Sequence, residues 1–141
     1  MTSAAAPSQS QSPNKGLNLA LWVVQALLAA AFGMAGVMKL TTPLDELAHK
    51  LPWVTQVGQL TRFIGASELA GALGLILPAA TRIQPMLTPL AAAGLVVIMA
   101  LAAPFHLSRG EAGALPINLV LGGLAAFVAW GRYRKVPIQP R

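Results

Sequence analysis

One carboxylate sits inside one of the most apolar stretches of this chain. Glu68 lies in RFIGASELAGALGLILP, residues 62–78, a run of small and apolar side chains that reads as a membrane-spanning helix. A charge at the bilayer centre costs about 2.5–3.5 kcal/mol even on the gentler insertion scale. Glu68 must therefore be neutral, paired with a cation, or turned to a polar cavity. Its functional reading is proton handling or ligand contact, because ionisable groups inside spans mark such sites. Its structural reading is a pair with Lys39 or Arg62 that fixes helix register.

Four further residues belong to the same candidate pocket: Lys39, His106, Glu111 and Asn118. Lys39 reads as the charge partner of Glu68, as a contact for a substrate anion, or as a lysine at a helix end that snorkels to the headgroups. His106 reads as a proton relay, a donor to a quinone carbonyl, a metal ligand, or an interfacial histidine with no task. Glu111 pairs most simply with Arg109 in the same loop, and Asn118 either caps a helix or lines the pocket. Haem is disfavoured, since the other histidine, His49, falls in a surface segment. Glu68, His106 and Glu111 follow no metal-ligand spacing, so no metal is assigned. The chain has no cysteine, which excludes thiolate catalysis, disulfide exchange and cysteine-held clusters.

The elements that must position these groups follow from composition. Of 141 residues, 55% are apolar and 10% charged, against about 25% charged in soluble domains. That balance calls for a nonpolar solvent: an all-α membrane protein, a four-helix transmembrane bundle. The formal charge of +6 does not point to nucleic acid, because the ten basic residues flank apolar runs instead of forming one stripe.

Residues 1–16 are rich in Ser, Gln, Ala and Pro and read as a disordered tail. The apolar run after them is too long for a signal-peptide core, so an uncleaved anchor is the better reading. Spans are expected at about 17–38, 62–78, 86–105 and 115–131 within a transmembrane domain of 17–135, with a C-terminal tail over 136–141. Between the first two spans, Thr42-Pro43-Leu44-Asp45 reads as a helix start with Thr42 as N-cap. Leu44, Leu47, Ala48 and Leu51 then share one face, predicting a short amphipathic helix at the membrane surface, ended by Pro52 with Trp53 at the interface. Ala29 with Gly33, Ala66 with Ala70 and Gly74, and Ser67 with Gly71 are at four-residue spacing and predict close helix contact.

Four spans place both termini on one side. Six Lys and Arg accompany the termini and the second loop, and four accompany the first and third loops, so the positive-inside rule predicts cytoplasmic termini. With that topology Lys39, Arg62, His106, Arg109, Glu111 and Asn118 fall at or near the outer face, and Glu68 lies six residues below Arg62, roughly 9 Å. Gln25, near mid-depth, extends this site downward. The inner halves are expected to hold essentially no polar group, with Arg132, Arg134 and Lys135 as headgroup anchors beside Trp130 and Tyr133. An outer polar pocket over a sealed inner half suits a binding or redox site better than an open channel.

The runs LWVVQALLAAAFGMAGVMKL, RFIGASELAGALGLILPAATRIQPMLTPLAAAGLVVIMALAAPFHLSRGE and PINLVLGGLAAFVAWGRYR resemble the DoxX-like family of small bacterial membrane proteins, over about residues 17–134. The most specific parts are FGMAGVMKL, GASELAGALGLILP and FHLSRGE, which contain Lys39, Glu68 and His106. The resemblance implies a four-helix bundle in the bacterial inner membrane. It also implies a link to membrane oxidoreductases, the wider group being named for a subunit of a thiosulfate:quinone oxidoreductase. The expected activity is thus an accessory or quinone-linked component of such a complex, with quinone as the one cofactor in view. The expected partners are the bilayer and a membrane protein or a second copy. A non-catalytic assembly protein is the main rival, and a small transporter the lesser one.

Overall fold

Apolar runs long enough to cross a bilayer become long helices. The computed structural model describes residues 14–141, which are helical with no strand. The elements are α1 (Lys15–Thr41), α2 (Leu44–Lys50), α3 (Val54–Val57), α4 (Leu60–Thr81), α5 (Leu87–Ser108), a 3-10 turn (Ala112–Ala114) and α6 (Leu115–Trp130). A π-helical turn (Gly131–Lys135) continues α6. Among the described residues, four helices, counting α6 with its flanking turns, have the length and hydropathy of membrane spans. The expected amphipathic helix is present as α2, with Leu47 buried, and the unforeseen α3 follows it.

The spans are longer than expected. Lys15 and Gly16, assigned to the N-terminal tail, form the first turn of α1; residues 1–13 of that tail lie outside the described residues. Thr42 is not the N-cap of α2 but the C-cap of α1, and Pro43 precedes the first residue of α2. α4 continues through Pro78 to Thr81 instead of turning there. A proline has no N–H to give to the carbonyl four residues back. Here that carbonyl, of Gly74, accepts a hydrogen bond from Thr88 Oγ1 of α5 at 3.0 Å. The chain leaves the helix at Arg82, in the left-handed region with φ 60°.

The helices form two hairpins, α1 on α4 and α5 on α6, joined mainly by the packing of α4 on α5. Their shared core is Leu21, Leu28 and Phe32 from α1, Ala72 and Leu75 from α4, Leu95 from α5, and Ala125 and Val128 from α6. Large apolar residues such as Leu27, Met34, Phe63, Leu101 and Leu119 point outward, half or more exposed, as a lipid solvent requires.

Glycines set the closest approaches: Gly71 and Gly74, which the small-residue spacings predict, and Gly36 and Gly65, which they do not. A Cβ at Gly36 would stand 2.7 Å from the Gly65 carbonyl oxygen and 2.8 Å from the Leu69 nitrogen, and one at Gly65 would stand 2.7 Å from Lys39 Cβ. α1 and α4 therefore cross backbone to backbone beside Lys39. Gly71 and Gly74 make similar room for Leu95 and Ala91 of α5. Ala66 and Ala70, by contrast, are exposed, and Gly33 meets Ala72 only at ordinary contact distance. The face of α4 turned to α1 and the core is Gly65, Glu68, Gly71–Ala72 and Leu75, which includes the predicted Gly71 but lies one residue around from Ala66 and Ala70.

Gly36→Ala should lower stability in detergent by about 1–3 kcal/mol, the range for overpacking. Gly94 is the contrast, since a Cβ added there would meet nothing within 4 Å. Gly94→Ala should be neutral or stabilising by about 0.5–1 kcal/mol, from helix propensity. Thermal unfolding of both variants reads the difference in sign.

Candidate functional site

The glycine crossing delivers the first polar group. Lys39 is on the last full turn of α1 and Glu68 on the third turn of α4, both facing inward. Lys39 Nζ donates to both carboxylate oxygens of Glu68, at 2.7 and 3.0 Å, with side chains 10% and 5% exposed. The alternative partner, Arg62, is engaged elsewhere: its Nη1 donates to the Lys39 and Thr42 carbonyls, both at 2.7 Å. A cation there also suits the negative end of the α1 dipole. Arg62 thus closes the end of α1 and holds Lys39 in place from the backbone side.

His106 stands on the last turn of α5. Its Nδ1 donates to Glu111 Oε2 at 2.6 Å, and Arg109 Nε donates to Glu111 Oε1 at 2.8 Å. The expected Arg109–Glu111 loop pair is present, and His106 joins it. Arg109 also reaches Gln56 Oε1, which ties this loop to α3. Trp53 sits edge-on to His106 and to Phe105, with centroids 6.4 and 6.3 Å apart, and lies 5.8 Å from Lys39 Nζ. One indole therefore links the lysine side of the site to the histidine side. The Glu111 carboxyl lies outside the spans and is held below the ordinary carboxylate range, first by the His106 hydrogen bond and then by that of Arg109.

These groups open onto a cavity of about 650 Å³ in the seam between the hairpins. Lys39, Glu68, His106 and Asn118 line it, with Trp53, Phe105, Phe32 and Met99 among its walls and Leu60, Phe63 and Leu101 at its lipid-facing rim. Glu111 is not in the lining; it stands behind His106. Asn118 does not cap α6, whose N-cap is Ala114. Asn118 is 8% exposed, and its buried Nδ2 has no hydrogen-bond partner among the described residues. Of the five candidates, four face one cavity and the fifth supports one of them from outside.

Gln25 does not extend this site. Its Nε2 donates to the Leu75 carbonyl at 2.6 Å, and its Oε1 accepts from Arg132 Nε at 2.7 Å. Leu28, Phe32, Ala72 and Leu75 fill the layer between it and Glu68. The half of the bundle nearer the termini therefore holds a buried polar cluster, against the expectation of essentially none. Arg132 is 1% exposed, not a headgroup anchor; its Nη1 donates to Asn18 Oδ1 at 2.7 Å and to the Val136 carbonyl at 3.1 Å, and Trp22 lies 5.3 Å away. Nothing in the local sequence separates Arg132 from Arg134. The signal was Gln25 and Asn18, two amides seven residues apart and so on one face of a span.

Four long apolar helices enclosing a buried ion pair define a multi-pass membrane protein with an internal polar site. The chain belongs to the DoxX-like family, whose model matches residues 23–128 and so takes in Lys39, Glu68, His106, Glu111 and Asn118. No curated protein and no solved structure matches it.

Removing one member of a buried pair strands the other. Lys39→Met or Glu68→Leu should each lower stability by about 3–5 kcal/mol, and the two together should recover much of it. A thermal-unfolding double-mutant cycle measures the coupling. Glu111 gives a pH prediction. Its folded value lies below the ordinary 4.5, so the clamp contributes fully above that pH and is lost as pH falls through the folded value. Amide exchange over residues 110–114, corrected for intrinsic rate, should rise only below the ordinary carboxylate range, and Glu111→Gln should remove that dependence.

Proposed function

We propose that this protein is a quinone-linked component of a bacterial membrane oxidoreductase, with the cavity between the hairpins as its quinone site. The observation that carries this reading is Asn118, which lines a mostly apolar cavity of about 650 Å³ and whose buried Nδ2 is a donor without a partner among the described residues. An unmade hydrogen bond in such a place costs about 1–3 kcal/mol, and a ligand carbonyl would satisfy it.

The residues fit a quinone. Its ring needs flat apolar walls, which Trp53 and Phe105 offer, and acceptor oxygens need donors, which Asn118 and Lys39 offer. Its isoprenoid tail needs an opening to lipid, which the rim of Leu60, Phe63 and Leu101 offers. When bound, the quinone supplies two-electron, two-proton chemistry; the electrons come from a partner subunit. Within this chain Asn118 orients the ligand, and Lys39 sets the charge beside it. His106, with Nδ1 held by Glu111, carries protons between the cavity and the loop. Glu68 keeps Lys39 in the cavity wall.

The closed Lys39–Glu68 pair also favours a second reading, a non-catalytic assembly protein in which the pair fixes register. In that case the cavity holds bulk lipid only. The small-transporter reading is weaker, because the apolar layer at Leu28 and Phe32 interrupts any polar path between the two ends.

Small-molecule mass spectrometry on protein purified gently with native lipid separates these readings. Wild type should retain a quinone. Asn118→Leu should lose it at unchanged or slightly raised thermal stability, since the substitution removes an unsatisfied buried amide. Bulk lipid alone in wild type overturns the quinone assignment.

A further inference from the structure

The two ends of the bundle differ in charge. All four acidic side chains, Asp45, Glu46, Glu68 and Glu111, lie at or toward the end that carries α2, α3 and the α5–α6 connection. Lys39, Lys50, Arg62 and Arg109 accompany them. At the other end stand Lys15, Arg82, Arg132, Arg134, Lys135 and Arg141, with no acidic side chain. Arg132 makes this imbalance acute. A fully buried guanidinium ordinarily has a carboxylate beside it, yet Arg132 has only neutral acceptors and an indole, and its Nη2 is buried with no partner among the described residues.

Directly above lies an open groove of about 560 Å³. Lys15 and Asn18 of α1, Trp22, Arg82 and the stretch Val136–Gln139 form its walls. Two acceptors of Arg132, Asn18 and Val136, are thus groove residues. Arg82 is fixed by its left-handed backbone and by donation from Nε to the Gln139 carbonyl at 2.8 Å and from Nη2 to the Pro140 carbonyl at 3.5 Å. Its Nη1 has no such partner among the described residues. Lys15, which also lines the groove, is exposed. Trp130 and Tyr133, with Lys135 and Arg134 each 5.7 Å from an aromatic ring, mark the headgroup level around it.

We propose that this groove binds a phosphate-bearing anion, and that its ligand is the headgroup of an anionic phospholipid. Lys15 and Arg82 contact the phosphate. Arg132 does not touch it; its buried positive charge acts through a short, poorly screened distance and draws the anion into the groove. The amides of Asn14 and Asn18 offer donors for headgroup hydroxyls, and Trp22 packs against the glycerol and upper acyl chain. The site is independent of the quinone cavity, from which the apolar layer at Leu28 and Phe32 separates it.

Native mass spectrometry of the full chain in mild detergent tests this, with phosphatidylglycerol and phosphatidylcholine of matched acyl chains in equal amounts. Wild type should retain phosphatidylglycerol at least about tenfold over phosphatidylcholine. Lys15→Gln with Arg82→Gln, both at exposed positions, should lower that preference about tenfold, toward equal retention, with helicity by circular dichroism unchanged. Lys50→Gln, at the other end, should leave it intact. Displacement of the lipid by millimolar inorganic phosphate would support the same phosphate chemistry with the free anion as a second source; resistance to it would support the lipid alone. Equal retention of the two lipids by wild type, or an undiminished preference in the double variant, overturns the proposal.

Discussion

Everything at the cavity depends on an ammonium and a carboxylate meeting in a low-dielectric interior. Neither Lys39 nor Glu68 would be tolerated there alone. Their meeting is conditional on the backbones of α1 and α4 approaching to the distance that only Gly36 and Gly65 permit. The crossing and the pair therefore specify one another. The crossing places Nζ within reach of both carboxylate oxygens, and the pair forbids any slide of one helix along the other, since a slip of even one residue would strand two charges. Arg62 adds a third constraint by binding the last carbonyls of α1. The result is a cavity wall that is fixed in position before any ligand arrives.

The opposite wall is built from helix ends and a loop. α5 and α6 contribute His106 and Asn118 from helix ends, supported by a short loop in which Glu111 serves two cations. Trp53, from the segment between α2 and α3, spans the two walls by edge contacts and not by hydrogen bonds. One wall thus carries the buried charge pair, and the other carries the imidazole and amide groups.

Much of this was legible in the sequence. Hydropathy located the four spans because in lipid the backbone must satisfy itself within a helix, and the cost of an unpaired charge pointed from Glu68 to Lys39 or Arg62, of which the structure uses Lys39. What sequence could not supply was rotation about the helix axes. The small-residue stripe of Ala66 and Ala70 is as smooth as that of Gly65 and Gly71, and only the partner helix decides which is used. The same ambiguity hid Arg132. A basic residue after an aromatic one at the end of a span reads as an anchor, and its burial depends on a helix more than a hundred residues away in the chain. Glu111 was placed in the right neighbourhood but on the wrong side of His106, because the loop between them turns the chain back.

The buried lysine and the buried arginine differ in one respect that bears on how the chain is made. Lys39 and Glu68 are 29 residues apart and belong to the same hairpin, whereas Arg132 finds Gln25 and Asn18 across 107 and 114 residues. The first hairpin can neutralise its own charge while the ribosome is still synthesising the second, and so can leave the translocon as a unit. The last helix has no such autonomy: the amides that accept from its arginine both belong to α1. The hydrogen bonds of Arg132 therefore require the first and the fourth span together.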